Sequence, residues 1–189
     1  MINIKKQKLF VDVDSTIIDT ISGFCSHYNK YYSWIPGFTV ANPSKVERWD
    51  LTCECTLLDS DDANLLFRHR ALWDHMKFMP NAYEVLDILQ DRYEIILVTI
   101  GHNENIAYKS LWLHENLPFV KNSIFISNAG IKMDKSVVDM SGGIFIDDHE
   151  SNLLSSNADR KILFGKRYTW NENWKGEHAN TWDDILNRL

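Results

Sequence analysis

Cysteine is scarce in this chain. The three residues, Cys25, Cys53 and Cys55, are too few and odd in number for a disulfide framework and fit a reducing compartment. Cys53 and Cys55 are one residue apart, short of the usual C-x2-C knuckle and without a second pair, which argues against structural zinc. Basic charge is also in short supply, with 20 Lys and Arg against 26 Asp and Glu and a net charge of −6. A protein that tracks a phosphate backbone needs a positive footprint, so a nucleic-acid polymer is not an expected partner. No apolar run approaches the roughly 18 to 20 residues that cross a bilayer. The N-terminus, MINIKKQK, is basic, but the acids of LFVDVDST interrupt the apolar stretch that follows before a signal-peptide core could form. A soluble, cytoplasmic protein without a membrane partner is expected. Internal repeats and low-complexity segments are absent as well.

What is present suits one main domain: 189 residues at 44% hydrophobic are enough for one substantial core and a small insertion. An apolar run from Lys8 to Val13 stops at acids, as a buried parallel strand does when its carboxyl end opens onto a site. Ile17, Ile18, Ile21, Phe24, Cys25 and Tyr28 recur at helical spacing and predict an amphipathic helix ending near Tyr32. From Ser33 to about Met79 the pattern is lost among Pro36, Gly37, Pro43, scattered tryptophans and the acidic run Asp59 to Asp62. This stretch reads as a small, mainly helical insertion. A regular rhythm returns at Pro80: helix 81–91, strand 94–99 (EIILVT), helix 105–115, strand 123–127 (SIFIS), a loop through Lys135, and strand 143–148 (GIFIDD). A helix start at Glu150 to Asn152 and a last strand, KILF, follow, and Thr181 caps a closing helix with Asp183 and Asp184 in its first turn. Alternating strands and helices predict an α/β sheet, largely parallel, with crossovers on both faces.

The polar residues that break the apolar strands sit at strand ends: Asp12 and Asp14, Thr99, and Asp147 with Asp148. In a doubly wound sheet such ends line one crevice. Four carboxylates in one crevice repel strongly and are tolerable mainly if a cation neutralises them, and an all-oxygen ligand set suits magnesium. Asp12 and Asp14, two apart on an extended chain, turn to the same face and can act on one group.

These residues carry a resemblance. DVDST at Asp12 to Thr16 resembles the first motif of the haloacid-dehalogenase-like superfamily, LVT ending at Thr99 its second, Lys135 its third, and IDD at Asp147 and Asp148 its fourth. MPNAYEVLDIL, ILVT, HENLPF, DKSVV, IDD and TWDDIL are further similar to the 5'(3')-deoxyribonucleotidase family, from Leu9 onward. The resemblance implies a three-layer Rossmann-like core over residues 1–18 and 80–189 with about five parallel strands in order 5-4-1-2-3. It also implies a small helical cap, residues 19–79, inserted after the first strand. Asp12 would be the nucleophile that forms an aspartyl-phosphate, and Asp14 the general acid and base. Mg2+ would be held by Asp12, the Asp14 carbonyl, and Asp147 or Asp148, with Asp147 favoured as the direct ligand. Thr99 and Lys135 would bind the phosphoryl oxygens.

The sequence departs from the family pattern at two places. His149 follows the acid pair where an arginine is common, with Glu150 available as the further acid, and Gly101 to Asn103 stand where a serine-proline step is usual. Phe24, Trp49, Leu72, Trp73 and His149 are the candidate substrate-pocket residues, although aromatic side chains such as Trp34, Trp49, Trp73 and Phe78 could equally be core. The tryptophans near the end, Trp170, Trp174 and Trp182, read as packing and cover.

The expected function is a magnesium-dependent phosphatase acting on (deoxy)ribonucleoside monophosphates, and a homodimer is compatible with it. Another small phosphate ester, such as a sugar phosphate, is the alternative substrate. A phosphoacceptor signalling module or a nucleotide-binding module would use similar residues. A receiver, however, has its acid pair early and its phosphoacceptor on a later strand, the reverse of the order here.

Overall fold

The computed structural model describes residues 6–130 and 133–189. The basic N-terminal residues 1–5, and positions 131–132 in the loop expected before Lys135, lie outside the described residues.

The first strand, β1 (Gln7–Val11), pairs in parallel with β2 (Tyr93–Gly101) on one side and β4 (Ile144–Asp147) on the other. β3 (Asn122–Ser127) extends the β2 side, and β5 (Arg160–Phe164) and β6 (Glu177–Ala179) extend the β4 side, also in parallel. The sheet therefore runs β3-β2-β1-β4-β5-β6. Its first five strands lie in the expected order, and β6 adds a sixth that was not expected. At three residues, EHA, it is too short and too polar to show a strand period.

Successive side chains of β1 point to opposite faces, and both faces are covered. Leu9 and Val11 belong to one buried cluster and Phe10 to the other, the arrangement of a three-layer sandwich. The helices are α1 (Thr20–Tyr32), α2 (Ser60–Leu66), α3 (Arg70–Trp73), α4 (Ala82–Leu89), α5 (Asn103–Asn116), α6 (Glu150–Ser155) and α7 (Trp182–Arg188). The last has a full capping box between Thr181 and Asp184, as its sequence predicts.

The helical spacing from Ile17 is misleading by one turn, because α1 starts only at Thr20, where the Asp19 carboxylate accepts the Ser22 N–H at 3.0 Å. Residues 15–18 instead form a tight, buried turn in which Ser15 adopts φ 54°, a left-handed conformation uncommon outside glycine. The chain leaves and re-enters the core side by side. Asp19 N–H donates to Lys77 O at 2.9 Å and Met79 N–H to Ile17 O at 2.8 Å, and Ile18 bridges Phe78. Between these crossings the described residues form α1, a 3-10 turn at Pro43–Lys45, α2 and α3, joined by turns and irregular chain.

Candidate active site

Asp12 continues the line of β1, donating its backbone N–H to Ile146 O of β4 at 2.9 Å, which brings it beside Asp147. The Lys135 ammonium, itself buried, bridges the two, reaching Asp12 Oδ1 and, at 2.5 Å, Asp147 Oδ2. Lys135 is aimed by a single 3-10 turn, Lys135–Val137, whose capping Asp134 accepts the Ser136 N–H at 2.9 Å. The other oxygen of Asp147 accepts from the His149 backbone at 2.8 Å and from Asn152 Nδ2 at 3.1 Å, so Lys135 fixes one side of that carboxylate and the start of α6 the other.

Asp14 is held by a different set. Its Oδ2 receives Lys109 Nζ and, at 3.4 Å, the Thr99 hydroxyl, and its Oδ1 receives Thr20 Oγ1 at 3.2 Å. Lys109 lies wholly inside α5 packing and also donates to Thr99 Oγ1 at 2.8 Å. Two lysines thus divide the carboxylates. Lys135 serves Asp12 and Asp147, and Lys109 serves Asp14.

The electrostatics follow from that crowding. Burial pushes the Asp12 carboxyl up to about 7, with Asp147 and Asp14 adding to the effect and Lys135 opposing it. Asp148 is raised well above the ordinary carboxylate range by burial and by its neighbours Asp147 and Asp12. Burial pulls the Lys135 ammonium down, but Asp12 and Asp147 outweigh it and hold it above its usual value. Counted as ionised, the four carboxylates face two ammonium groups, an excess of two negative charges. One oxygen each from Asp12, Asp147 and Asp148 lies within 4.8 Å of the others. The donor set is all oxygen, and one divalent cation would cancel the excess, so these residues fit a hard divalent ion.

The site opens into a cleft of two lobes, about 500 and 550 Å³ with open solvent at the mouth included, that share Asp14, Trp49, Ile100 and Asn128. The inner lobe holds Asp12, Lys135, Asp148 and His149. The outer lobe is walled by Phe67, whose ring lies nearly parallel to Trp49 (7°, centroids 6.2 Å apart), and by Arg68 and His102. Arg68 Nη2 lies 2.9 Å from His102 Nε2, and because a guanidinium only donates, the histidine accepts there as the Nδ1–H tautomer.

The strand-end residues singled out in the sequence are therefore brought together in two linked sets: Lys135 joins Asp12 and Asp147 beside Asp148, and Lys109 joins Asp14 and Thr99. Two of the pocket candidates, Trp49 and His149, line the cleft, His149 also capping α6 by accepting from Ser151. The other three do not face it. Phe24 and Leu72 are fully buried and Trp73 nearly so, all within the main core cluster, because the face of α1 that carries Phe24 and the α3 turn pack inward on each other. Phe24 meets the cleft wall at Phe67, with the ring centroids 4.9 Å apart.

Sequence reasoning missed Lys109, Thr20 and the loop between β5 and β6. For Lys109 a signal existed, since it falls at i+4 between Asn105 and Leu113 on the buried stripe of α5, where a lysine needs a partner. Thr20 and the loop carried none, as their partners are remote in sequence or set by a turn.

A strand at the centre of a parallel sheet that ends in Asp12, with further acids and a buried lysine beside it, is the arrangement of the haloacid-dehalogenase-like class of phosphohydrolases. Solved structures share the fold at low identity. A predicted phosphatase from Clostridium acetobutylicum matches at 18% identity and TM-score 0.66, over 97% of this chain and 98% of that one. A haloacid dehalogenase-like hydrolase from Streptococcus pneumoniae matches at 14% and 0.66, over 97% and 98%. A HAD-hydrolase of Bacillus subtilis bound to magnesium matches at 12% and 0.60, over 98% and 99%. No curated protein matches the chain. Residues 6–189 match the family of 5' nucleotidase, deoxy (Pyrimidine), cytosolic type C proteins, and the chain belongs to that family. It is accordingly a phosphoric monoester hydrolase of the nucleotidase type.

Proposed function

We propose that this protein hydrolyses nucleoside 5'-monophosphates, deoxy ones included, to nucleoside and phosphate through an aspartyl-phosphate on Asp12, with Mg2+ as cofactor. The observation that carries this reading is the shared cleft. Its inner lobe presents Asp12 and Lys135, its outer lobe presents two nearly parallel aromatic rings, and Asp14 stands at the junction. A phosphomonoester laid across it puts phosphorus at Asp12, the ester oxygen at Asp14, and the leaving group between Trp49 and Arg68.

Asp12 attacks phosphorus and displaces the alkoxide. Asp14 protonates that alkoxide and then takes a proton from the water that opens the acyl phosphate. Lys109 and Thr99 occupy Asp14 Oδ2, so Oδ1, which bears the Thr20 hydroxyl and no ammonium, is the oxygen that carries the transferable proton. Lys135 and Thr99 stabilise the charge on the phosphoryl oxygens. Mg2+, held by Asp12, Asp147, Asp148 and the Asp14 carbonyl, would neutralise phosphate charge and orient the attack. Residues 19–79 act as the cap that bears on the leaving group and excludes water, opening about the paired crossings at Ile18 and Phe78. Among the described residues no helix is long and apolar enough to cross a membrane, consistent with a cytosolic setting.

The test is phosphate release from a panel of deoxy- and ribonucleoside monophosphates and sugar phosphates, in Mg2+ and in EDTA, for wild type and Asp12→Asn. Mg2+-dependent turnover of nucleotides that disappears in Asp12→Asn is the expected result. Turnover confined to sugar phosphates would refute the nucleotide assignment, and turnover surviving Asp12→Asn would refute the nucleophile.

A further inference from the structure

The loop of residues 165–176, between β5 and β6, carries three aromatic residues and reads in sequence as cover. In the structure it delivers one side chain into the carboxylate cluster, where Trp170 Nε1–H donates to Asp148 Oδ2 at 3.0 Å. Asn171, fully buried, adds a second tie, donating from Nδ2 to the Asp148 carbonyl at 2.9 Å and accepting the Tyr168 N–H at 2.8 Å. The indole lies on the Tyr168 ring (4.1 Å, 7°) and meets Trp49 edge-on at 5.6 Å. From the other side the loop is fastened to the inserted segment, by Thr169 Oγ1 to Glu47 O at 2.7 Å and Lys166 Nζ to Ser44 O at 2.9 Å.

The division of donors gives this contact its meaning. Asp12 and Asp147 share an ammonium, and Asp14 has its own. Among the described residues Trp170 is the one side chain that donates to the Asp148 carboxylate, and its donor is neutral. A lysine there would fix Asp148 and also cancel its charge. An indole N–H fixes one oxygen and leaves the negative charge and the second oxygen free for a cation. A buried indole does need an acceptor, and a backbone carbonyl would serve, as Glu177 O serves Trp174 (2.8 Å) and Thr16 O serves Trp182 (2.9 Å).

We propose that Trp170 is a positioning residue for the cation seat: it orients Asp148 as a ligand through a neutral hydrogen bond, on a loop pinned to both the sheet and the inserted segment. This rests on the cation assignment made above. Outer-shell partners of metal ligands typically contribute about 10- to 100-fold in metal affinity.

The test is calorimetric titration of the whole chain with Mg2+ alone, comparing wild type, Trp170→Phe and Trp174→Phe. Trp170→Phe keeps an aromatic ring and removes the N–H, and it is expected to weaken Mg2+ by about 10- to 100-fold. Trp174→Phe deletes an indole N–H from the same loop away from Asp148 and should bind as wild type does. Where Trp170→Phe does not fold, Trp170→Leu, which also removes the N–H while keeping an apolar side chain, takes its place and is expected to weaken Mg2+ in the same way. Wild-type affinity in the Trp170 variant, or equal weakening in Trp174→Phe, overturns the proposal while leaving the cation assignment standing. No Mg2+ binding by wild type overturns both.

Discussion

The pair Lys109 and Asp14 offers a quantitative test, because its two members differ in exposure. The Lys109 side chain is 0% exposed and that of Asp14 is 18%. Breaking a buried ion pair by removing one partner costs about 3–5 kcal/mol, chiefly because the remaining charge is left without compensation. Lys109→Met strands a carboxylate that still has some water and the Thr20 and Thr99 hydroxyls, so its cost should sit near the lower end, about 3 kcal/mol. Asp14→Asn strands an ammonium with no water at all and should cost nearer about 5 kcal/mol. The double variant removes both charges and should be more stable than Asp14→Asn alone, since neutral replacement of a buried pair is often tolerated. Urea unfolding in EDTA, with the four proteins forming a double-mutant cycle, measures this without interference from bound cation. Each single change costing less than about 1 kcal/mol, with additive effects, is the behaviour of an exposed pair and would refute the reasoning.

Trp49 and Trp73 should separate function from packing. Trp49→Ala, at a ring 38% exposed on the cleft wall, is expected to raise KM for a nucleotide about tenfold with little change in stability, from stacking of about 1–3 kcal/mol per base. Trp73→Ala should leave KM alone and cost about 3–5 kcal/mol in urea unfolding, and the opposite pattern would return Trp73 to the pocket. His27 is buried against His75 and Tyr31, and burial lowers its pKa below the usual 6.5, so the fold prefers it neutral. Its contribution is then complete above about 6.5 and is lost as pH falls below that value. His27→Gln should flatten the loss of stability between pH 6.5 and 5 relative to wild type, and parallel curves would rule the effect out.

The central strands were legible because they are buried on both faces: EIILVT and GIFIDD contain unbroken apolar runs that end in polar residues, and a parallel sheet puts those ends on one edge. SIFIS, in β3, shows a shorter run of the same kind although only Ile126 of that strand is buried. The candidate network could be read for the same reason, since Asp12, Thr99 and Asp147 are each the first polar residues after such a run. β6 escaped notice because a three-residue edge strand is held by its neighbour's hydrogen bonds, which leave no mark on its composition. Phe24 and Trp73 were equally compatible with pocket and core, as an aromatic ring has the same sequence signature in either place.

What remained illegible shares one physical cause: the residues that aim the carboxylates act across large sequence separations with ordinary side chains. Trp170 is 22 residues from Asp148, and Lys109 is 95 from Asp14. Neither belongs to a motif with Asp14 or Asp148 at its other end. Each is nonetheless constrained by charge. Four crowded carboxylates can take two ammonium partners and still attract a divalent ion, whereas a third ammonium in the Trp170 position would leave only one negative charge for it. On the proposed reading, the choice of lysine for Asp12, Asp14 and Asp147, and of a neutral indole for Asp148, would keep the cluster foldable without a cation and still able to bind one.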